Sequence, residues 1–278
     1  MGEKRRNEAK GSPAHSISPH ASRLTPHAAL VIFAKAPIPG QVKTRLCPPL
    51  TPDEAASLHG SFVLDALERS REVDRKEPVR VDRFLACAPP ADHVFFKIME
   101  ERQRVRLLHQ IGDDLGTRMD HAFKETFALG YRRVLLVSTD VPSLPTSYYG
   151  QAFSLLSEHD LVLGPSLDGG YYLIGLKRPV SDLFMGISWS TDQVCSLTRV
   201  KAETLGLKTA LLPTCRDVDT IDDLLRLIEE NGLETRSKKR GPTSTASSLS
   251  LRTASALRLL ASRLKSRGAT LTDRLIDD

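Results

Sequence analysis

The feature that most constrains this chain is an alternation of short apolar runs with amphipathic stretches, sustained from Ala28 to about residue 234. It opens with Ala28-Ala-Leu-Val-Ile-Phe-Ala34, a continuous apolar run of the kind found in a strand covered on both faces. Thr51-Pro-Asp-Glu54 then reads as a capping box with proline at the first helical position. The helix it opens carries Ala55, Leu58, Phe62 and Ala66 on one face. The pattern repeats: a strand over 84–88, a helix over 92–102, a strand over 105–108, and a helix over 119–129 closed by Gly130. Arg133 to Val137 is the clearest strand, followed by a helix over 146–158 and strands over 161–163 and 171–176. A helix over 191–204, a strand over 208–212 and a helix from Thr220 to Glu230, ending near Gly232, complete the series. Strands and helices alternating at this spacing predict one α/β domain over 28–234, a mostly parallel sheet with helices on both faces.

The flanks differ in kind. Residues 1–27 mix Pro, Ser, His and charge without periodicity and read as a disordered basic extension. Residues 235–278 open as a basic, low-complexity linker to Ser250. Over 251–265 a helical pattern returns, Leu251, Leu257, Leu260 and Leu264 against Arg252, Arg258, Arg263 and Lys265. Two readings stand: a solvated tail, or an amphipathic helix that docks on a partner or an anionic surface.

The net charge of +5 belongs to these flanks. Residues 1–27 hold 5 Lys/Arg against 2 Asp/Glu, and residues 235–278 hold 10 against 3. The body, 28–234, holds 24 against 29, a net of −5. The basic balance therefore predicts no specific nucleic-acid partner for the body. An acidic body that holds a phosphate-bearing substrate needs a local basic loop, a metal ion, or both. No apolar run approaches the roughly 20 residues of a membrane span, and the N-terminus has no apolar signal stretch. Cys47, Cys87, Cys195 and Cys215 lack C-x-x-C spacing, which argues against a zinc site and a disulfide framework. A cytoplasmic protein with reduced thiols is expected.

In open parallel sheets, ligands bind beyond the carboxyl ends of the strands, so the loops there carry the functional reading. After the first strand, Lys35-Ala-Pro-Ile-Pro-Gly-Gln-Val-Lys43-Thr44-Arg45 sets three cations and a hydroxyl on a loop stiffened by Pro37 and Pro39 and bent by Gly40. Such a loop can present charge and N–H groups to a diphosphate, although it lacks the G-x-x-x-x-G-K-[ST] spacing of a P-loop. After the clearest strand comes Asp140, whose carboxylate needs a partner where an apolar strand leaves the sheet. A hard divalent cation is such a partner; the bland alternative, a helix cap, suits Ser143 or Thr146 better. Asp168-Gly169-Gly170 fits either close approach to a ligand or a tight turn. In Asp217-Val-Asp219-Thr220, Thr220 with Asp223 supplies the next cap and leaves the two aspartates without that duty. Arg118, in the loop Gly112 to Arg118, can reach an anion. His59, His109, His121 and His159 share no metal spacing and read as surface or loop residues.

Taken together, Phe33 to Leu46, Gly112 to Met119, Thr139 to Leu144, Asp168 to Leu176, Trp189 to Thr191 and Asp217 to Thr220 resemble, in that order, the DUF2064 family of candidate glycosyltransferases. These are also described as radical-SAM/selenodomain-associated transferases. The resemblance implies a GT-A-like nucleotide-diphospho-sugar transferase fold. It implies Mg²⁺ or Mn²⁺ on Asp140, with Asp219 as second ligand, and the loop from Lys35 to Arg45 facing nucleotide phosphates. Relatives often carry Gly where this chain has Ser138, which adds a hydroxyl near the expected metal.

The expectation is a glycosyltransferase taking a nucleotide sugar and a small-molecule acceptor. Lys35, Lys43, Thr44, Arg45, Arg118, Gly169 and Gly170 would hold the substrate, and Asp168 would orient or deprotonate the acceptor hydroxyl. The alternatives are a nucleotidyltransferase, which releases pyrophosphate, and a non-catalytic nucleotide-binding protein acting through its basic tail.

Overall fold

The computed structural model describes residues 28–76, 80–88, 90–233 and 249–266. The expectations for residues 1–27 and for the linker over 235–248 fall outside the described residues. The strands are β1 (Ala28–Ala34), β2 (Val81–Cys87), β3 (Arg106–His109), β4 (Arg133–Ser138), β5 (Leu161–Pro165), β6 (Tyr171–Leu176) and β7 (Thr209–Leu211). The helices are α1 (Pro52–Lys76), α2 (Val94–Gln103), α3 (Leu115–Ala128), α4 (Ser147–Leu155), α5 (Val194–Thr204), α6 (Ile221–Glu230) and α7 (Leu251–Ser266).

One seven-stranded sheet runs β3-β2-β1-β4-β6-β5-β7. The continuous apolar run at β1 is explained by its place inside the sheet, where successive side chains feed opposite faces. Ala29 and Val31 join a core with Met119 and Phe123 of α3, and Leu30 joins another with Tyr149 and Phe153 of α4. Ile32 packs with Val63 and Leu67 of α1. Pairings β1–β2, β2–β3, β1–β4 and β5–β7 are parallel, while β6 runs antiparallel to both β4 and β5. The mostly parallel sheet expected from the alternation is what forms.

From β1 the chain steps outward to β2 and β3, then returns to place β4 on the other side of β1. Strand order therefore reverses between β1 and β4, and their carboxyl ends lie side by side, Phe33 opposite Ser138. A crevice at such a reversal is the general ligand site of this architecture.

Some boundaries differ from the sequence reading. Helix α3 starts at Leu115 rather than Met119, because Asp114 caps it: its carboxylate accepts from Thr117 N at 2.7 Å, and Thr117 Oγ1 accepts from Asp114 N at 3.2 Å. Gly116, Thr117 and Arg118 are thus helical. Helix α5 starts at Val194 rather than Thr191, after Ser190 turns through a left-handed conformation at φ 63°. Thr146 does not cap α4; its hydroxyl donates to Glu72 at 3.4 Å.

The helix expected over 251–265 is present as α7, and it docks on this chain. Leu257, Leu260 and Leu264 enter a core with Leu58 and Phe62 of α1 and with Leu224 and Ile228 of α6. Ser250 donates to the buried Asp65 at 2.7 Å, and Arg252 bonds Asp65 at 3.0 Å and Glu68 at 2.7 Å. Arg263 reaches Glu54 at 2.8 Å. The apolar face read as available to a partner or membrane surface is therefore covered within the molecule, and Leu251, 86% exposed, lies off it. Among the described residues, no helix is long and apolar enough to cross a membrane.

Candidate active site

Beyond β1, the loop bends at Gly40, whose φ is 77°, and returns to Lys43, itself left-handed at φ 49° and ψ 37°. This turn sends the Lys43 side chain inward, past the ring of Phe62 on α1, until it is only 4% exposed. Its ammonium donates to Asp140 Oδ1, to Asp219 Oδ1 at 2.8 Å and to the carbonyl of Val218 at 2.8 Å. An ammonium has three N–H groups, and each has an acceptor here.

Asp140 is aimed by its neighbours. Ser138 Oγ donates to Asp140 Oδ2 at 3.1 Å and accepts from the Asp140 backbone N–H at 3.0 Å. Val218 N donates to the Asp140 carbonyl at 2.9 Å, which ties the loop after β4 to the loop before α6. The Ser138 hydroxyl thus supports the carboxylate. Burial disfavours the Lys43 charge, but Asp140 and Asp219 outweigh it and raise the lysine above its usual range. Loss of solvent alone would raise Asp140, yet Lys43 reverses the sign and holds it low. Both are charged at neutral pH. Lys43 therefore grips the two aspartates expected to hold the metal, rather than facing a phosphate.

A second acidic group adjoins the first. Cys215 N donates to Pro165 O, and Leu167 N to Cys215 O, both at 3.0 Å, which zips the end of β5 onto the segment after β7. This brings oxygens of Asp168, Asp217 and Asp219 within 4.8 Å of one another. Asp168 is exposed at the rim and accepts from Ser166 Oγ and from Gly170 N. Gly169, at φ 87°, lies so close to the turn before α5 that a Cβ would sit 1.9 Å from Asp192 O. Only glycine fits there. Asp217 is 8% exposed, and burial, with Asp168, Asp219 and Asp223 nearby, pushes its pKa up to about 7. Asp223 takes the capping role with Thr220, as the spacing suggested.

Oxygen-only donors converging in this way suit a hard divalent ion. Asp219, shared by both groups, would be a ligand in either arrangement: with Asp140 once Lys43 withdraws, or with Asp168 and Asp217.

The outer part of the Lys35 loop forms one wall of a cleft of about 210 Å³, which Ala88 and Pro90 after β2 and Arg118 on α3 complete. Lys35 and Arg118 bring two cations to it, and Arg118 is steadied by donating from Nε to Gly112 O at 2.9 Å. Thr44 and Arg45 form an exposed 3₁₀ turn and do not line this cleft.

The sequence reading placed His59 among surface or loop residues, whereas the structure buries it. It is 5% exposed on α1, with Nε2 3.1 Å from the Lys35 carbonyl and no partner for the buried Nδ1 among the described residues. Burial keeps it neutral, lowering its pKa despite the nearby Asp140. A signal existed, because His59 stands at helical spacing from Ala55, Phe62 and Ala66 on the buried face. Trp189 has a packing role that the motif did not reveal: it lies against Gly116, where a Cβ would meet its ring at 2.3 Å.

The chain is similar to known proteins. The family model described as "Uncharacterized protein conserved in bacteria (DUF2064)" matches residues 73–191. The crystal structure of a candidate nucleotide-diphospho-sugar transferase from Desulfovibrio desulfuricans G20 superposes with a TM-score of 0.70 at 30% identity. That match covers 88% of this chain and 99% of the other. This chain belongs to the DUF2064 family. Membership carries the transferase class and the nucleotide-diphospho-sugar transferase fold.

Two likenesses are more distant. Rv0371c of Mycobacterium tuberculosis H37Rv, solved with manganese, is 15% identical over 73% of this chain and 98% of its own, with a TM-score of 0.44. A cytidylyltransferase from Leptospira borgpetersenii serovar Hardjo-bovis (strain JB197) is 14% identical over 86% of this chain and 95% of its own, with a TM-score of 0.46. No curated protein matches the chain.

Proposed function

We infer that this DUF2064 protein is a cytoplasmic transferase that moves a glycosyl group from a nucleoside-diphosphate sugar to a small acceptor with the help of Mg²⁺ or Mn²⁺. The observation that carries the reading is the convergence of Asp140 and Asp219, from separate loops, on one buried cation beside a cleft holding Lys35 and Arg118. Asp140 and Asp219 would hold the divalent ion, which would supply neutralising charge for the departing diphosphate and leave Asp168 to the acceptor.

The chain's own residues do the rest. Lys35 and Arg118 bind the anionic half of the donor in the cleft, whose lining also includes Ile38, Val42 and Ala88. Asp168, exposed at the rim and fixed by Ser166 and Gly170, accepts a hydrogen bond from the acceptor hydroxyl and takes its proton as the new bond forms. The Gly169 carbonyl accepts from Cys195 N at 2.8 Å, which ties this loop to α5.

A thermal-shift screen of nucleotides and nucleotide sugars with Mg²⁺ and Mn²⁺ should select the donor, since a bound ligand raises the melting temperature. Product analysis of the selected pair then decides the reaction. Release of a nucleoside diphosphate supports glycosyl transfer; release of pyrophosphate from a nucleoside triphosphate replaces it with nucleotidyl transfer. Binding with no turnover of any donor sinks both.

A further inference from the structure

Lys43 is placed unlike the other cations of its loop. Lys35 and Arg45 are exposed, whereas the Lys43 side chain is 4% exposed and its three N–H groups are already taken. As the chain stands, it has no donor left for an incoming phosphate. Asp140 and Asp219 are different: their side chains remain 38% and 36% exposed, so each keeps oxygen surface toward solvent. The lysine is enclosed while the acids it bridges stay accessible.

Charge decides what happens when a divalent ion enters. Two carboxylates and one ammonium sum to −1. Adding a divalent ion with Lys43 in place crowds three positive charges around two acids. If Lys43 withdraws, the acids and the ion balance, but a desolvated ammonium is left without a counter-ion. A diphosphate entering the cleft beside the same loop supplies that counter-ion. The hinge for such a movement is local: Lys43 is the left-handed residue between the loop bent at Gly40 and the 3₁₀ turn at Thr44–Leu46.

We propose that Lys43 is a positioning residue that acts as a resident counter-cation: it holds Asp140 and Asp219 until a divalent ion displaces it, then transfers to the donor diphosphate. The inference rests on the nucleoside-diphosphate-sugar reading above and extends it. It makes metal and nucleotide bind cooperatively, each raising the affinity of the other by the same factor.

The test is Mn²⁺ binding to the full chain, followed by the loss of the free-ion electron paramagnetic resonance signal. It is run without nucleotide and with UDP, CDP and GDP in turn, at matched free Mn²⁺. In the wild type, Mn²⁺ alone should bind weakly, and at least one nucleotide should tighten it tenfold or more, within the usual range of such coupling. Lys43→Met, which keeps the apolar stem over Phe62, should bind Mn²⁺ alone about tenfold more tightly and retain less than threefold coupling. Lys43→Gln keeps hydrogen-bond donors without charge and should behave alike, which covers a failure of the methionine variant to fold.

Equal Mn²⁺ affinity in wild type and both variants overturns the proposal and leaves the proposed function standing. So does a wild-type affinity indifferent to all three nucleotides, a measurement that needs no variant. Nucleotide binding with no Mn²⁺ site in any of the proteins overturns this proposal and removes the metal from the proposed function as well.

Discussion

Two acidic groups meet at Asp219, and they behave in opposite ways. On the β1–β4 side, Asp140 and Asp219 share the Lys43 ammonium, and Asp140 is held low in pKa. On the β5–β7 side, Asp168 and Asp217 pair with no Lys or Arg among the described residues, and Asp217 rises to about 7. The same functional group is ionised in one place and resists ionisation a few ångströms away. The difference is whether a cation is built in. One half of the site is partly balanced by the fold, and the other half is balanced only when something cationic arrives.

The largest expected effect falls on the residue common to both. Asp219→Asn and Asp140→Ala should each cut metal-dependent turnover at least 10²–10³-fold, as loss of one preorganised electrostatic group commonly does. The fold should persist, checked by a cooperative melt. Full activity in either variant, or in excess EDTA, would dissolve the distinction between the two groups altogether.

Next comes Gly169→Ala, which forces a Cβ against Asp192 O in a left-handed position. A loss of roughly 2–4 kcal/mol is expected from strain and displaced backbone. Thermal melting should fall by about 2–4 °C for each kcal/mol, and the Asp168 side of the site should suffer more than Lys43. A neutral alanine substitution would show that the loop is looser than its contacts imply.

A smaller effect separates the two groups by pH. Asp217 has a folded pKa raised to about 7 from the ordinary 3.8. The folded state therefore favours its protonated form, and stability present below pH 4 is lost as pH rises through 7. Removing the charge with Asp217→Asn should stabilise the metal-free protein by about 1–3 kcal/mol at pH 8. That gain should shrink as pH falls toward 4, in thermal melts run across this range. A constant gain at every pH would show that Asp217 titrates normally.

The smallest change is Ser138→Ala, which deletes both hydrogen bonds of the Ser138 hydroxyl to Asp140 and should cost about 1–2 kcal/mol. Its effect should be confined to the Lys43 side and leave the pH dependence from Asp217 intact.

How far the sequence could reveal this arrangement depends on the range of each cause. The strands were legible because burial on both faces leaves an uninterrupted apolar run, as at β1, and the Thr51 and Thr220 caps were legible because they are local. The reversed direction of β6 was not, since periodicity is the same in either direction. Asp140 and Asp168 were visible as acids after strands, and Asp217 and Asp219 as a pair left without a capping duty. That Asp217 joins Asp168 follows from β5 pairing with β7 and from the Ser166–Cys215 bridge, which is a long-range contact. Nothing local marks Lys43 as inward-facing either, because a left-handed lysine has no sequence signature. His59 was recoverable from helical spacing and was missed because it was read for metal ligation.

Helix α7 bears on how the protein must be handled. The apolar residues that its leucines cover on α1 and α6, Leu58, Phe62, Leu224 and Ile228, would face solvent if the chain stopped at Leu233. Burying each such side chain is worth roughly 1.5–3 kcal/mol, and a bare apolar patch of this kind invites self-association. A protein cut there is expected to elute as aggregates in size-exclusion chromatography, where the full chain gives a single peak. The buried Asp65 would also lose the Ser250 and Arg252 partners that satisfy it. In practical terms, the basic stretch at the C-terminus includes the lid of a core, and solubility depends on keeping it.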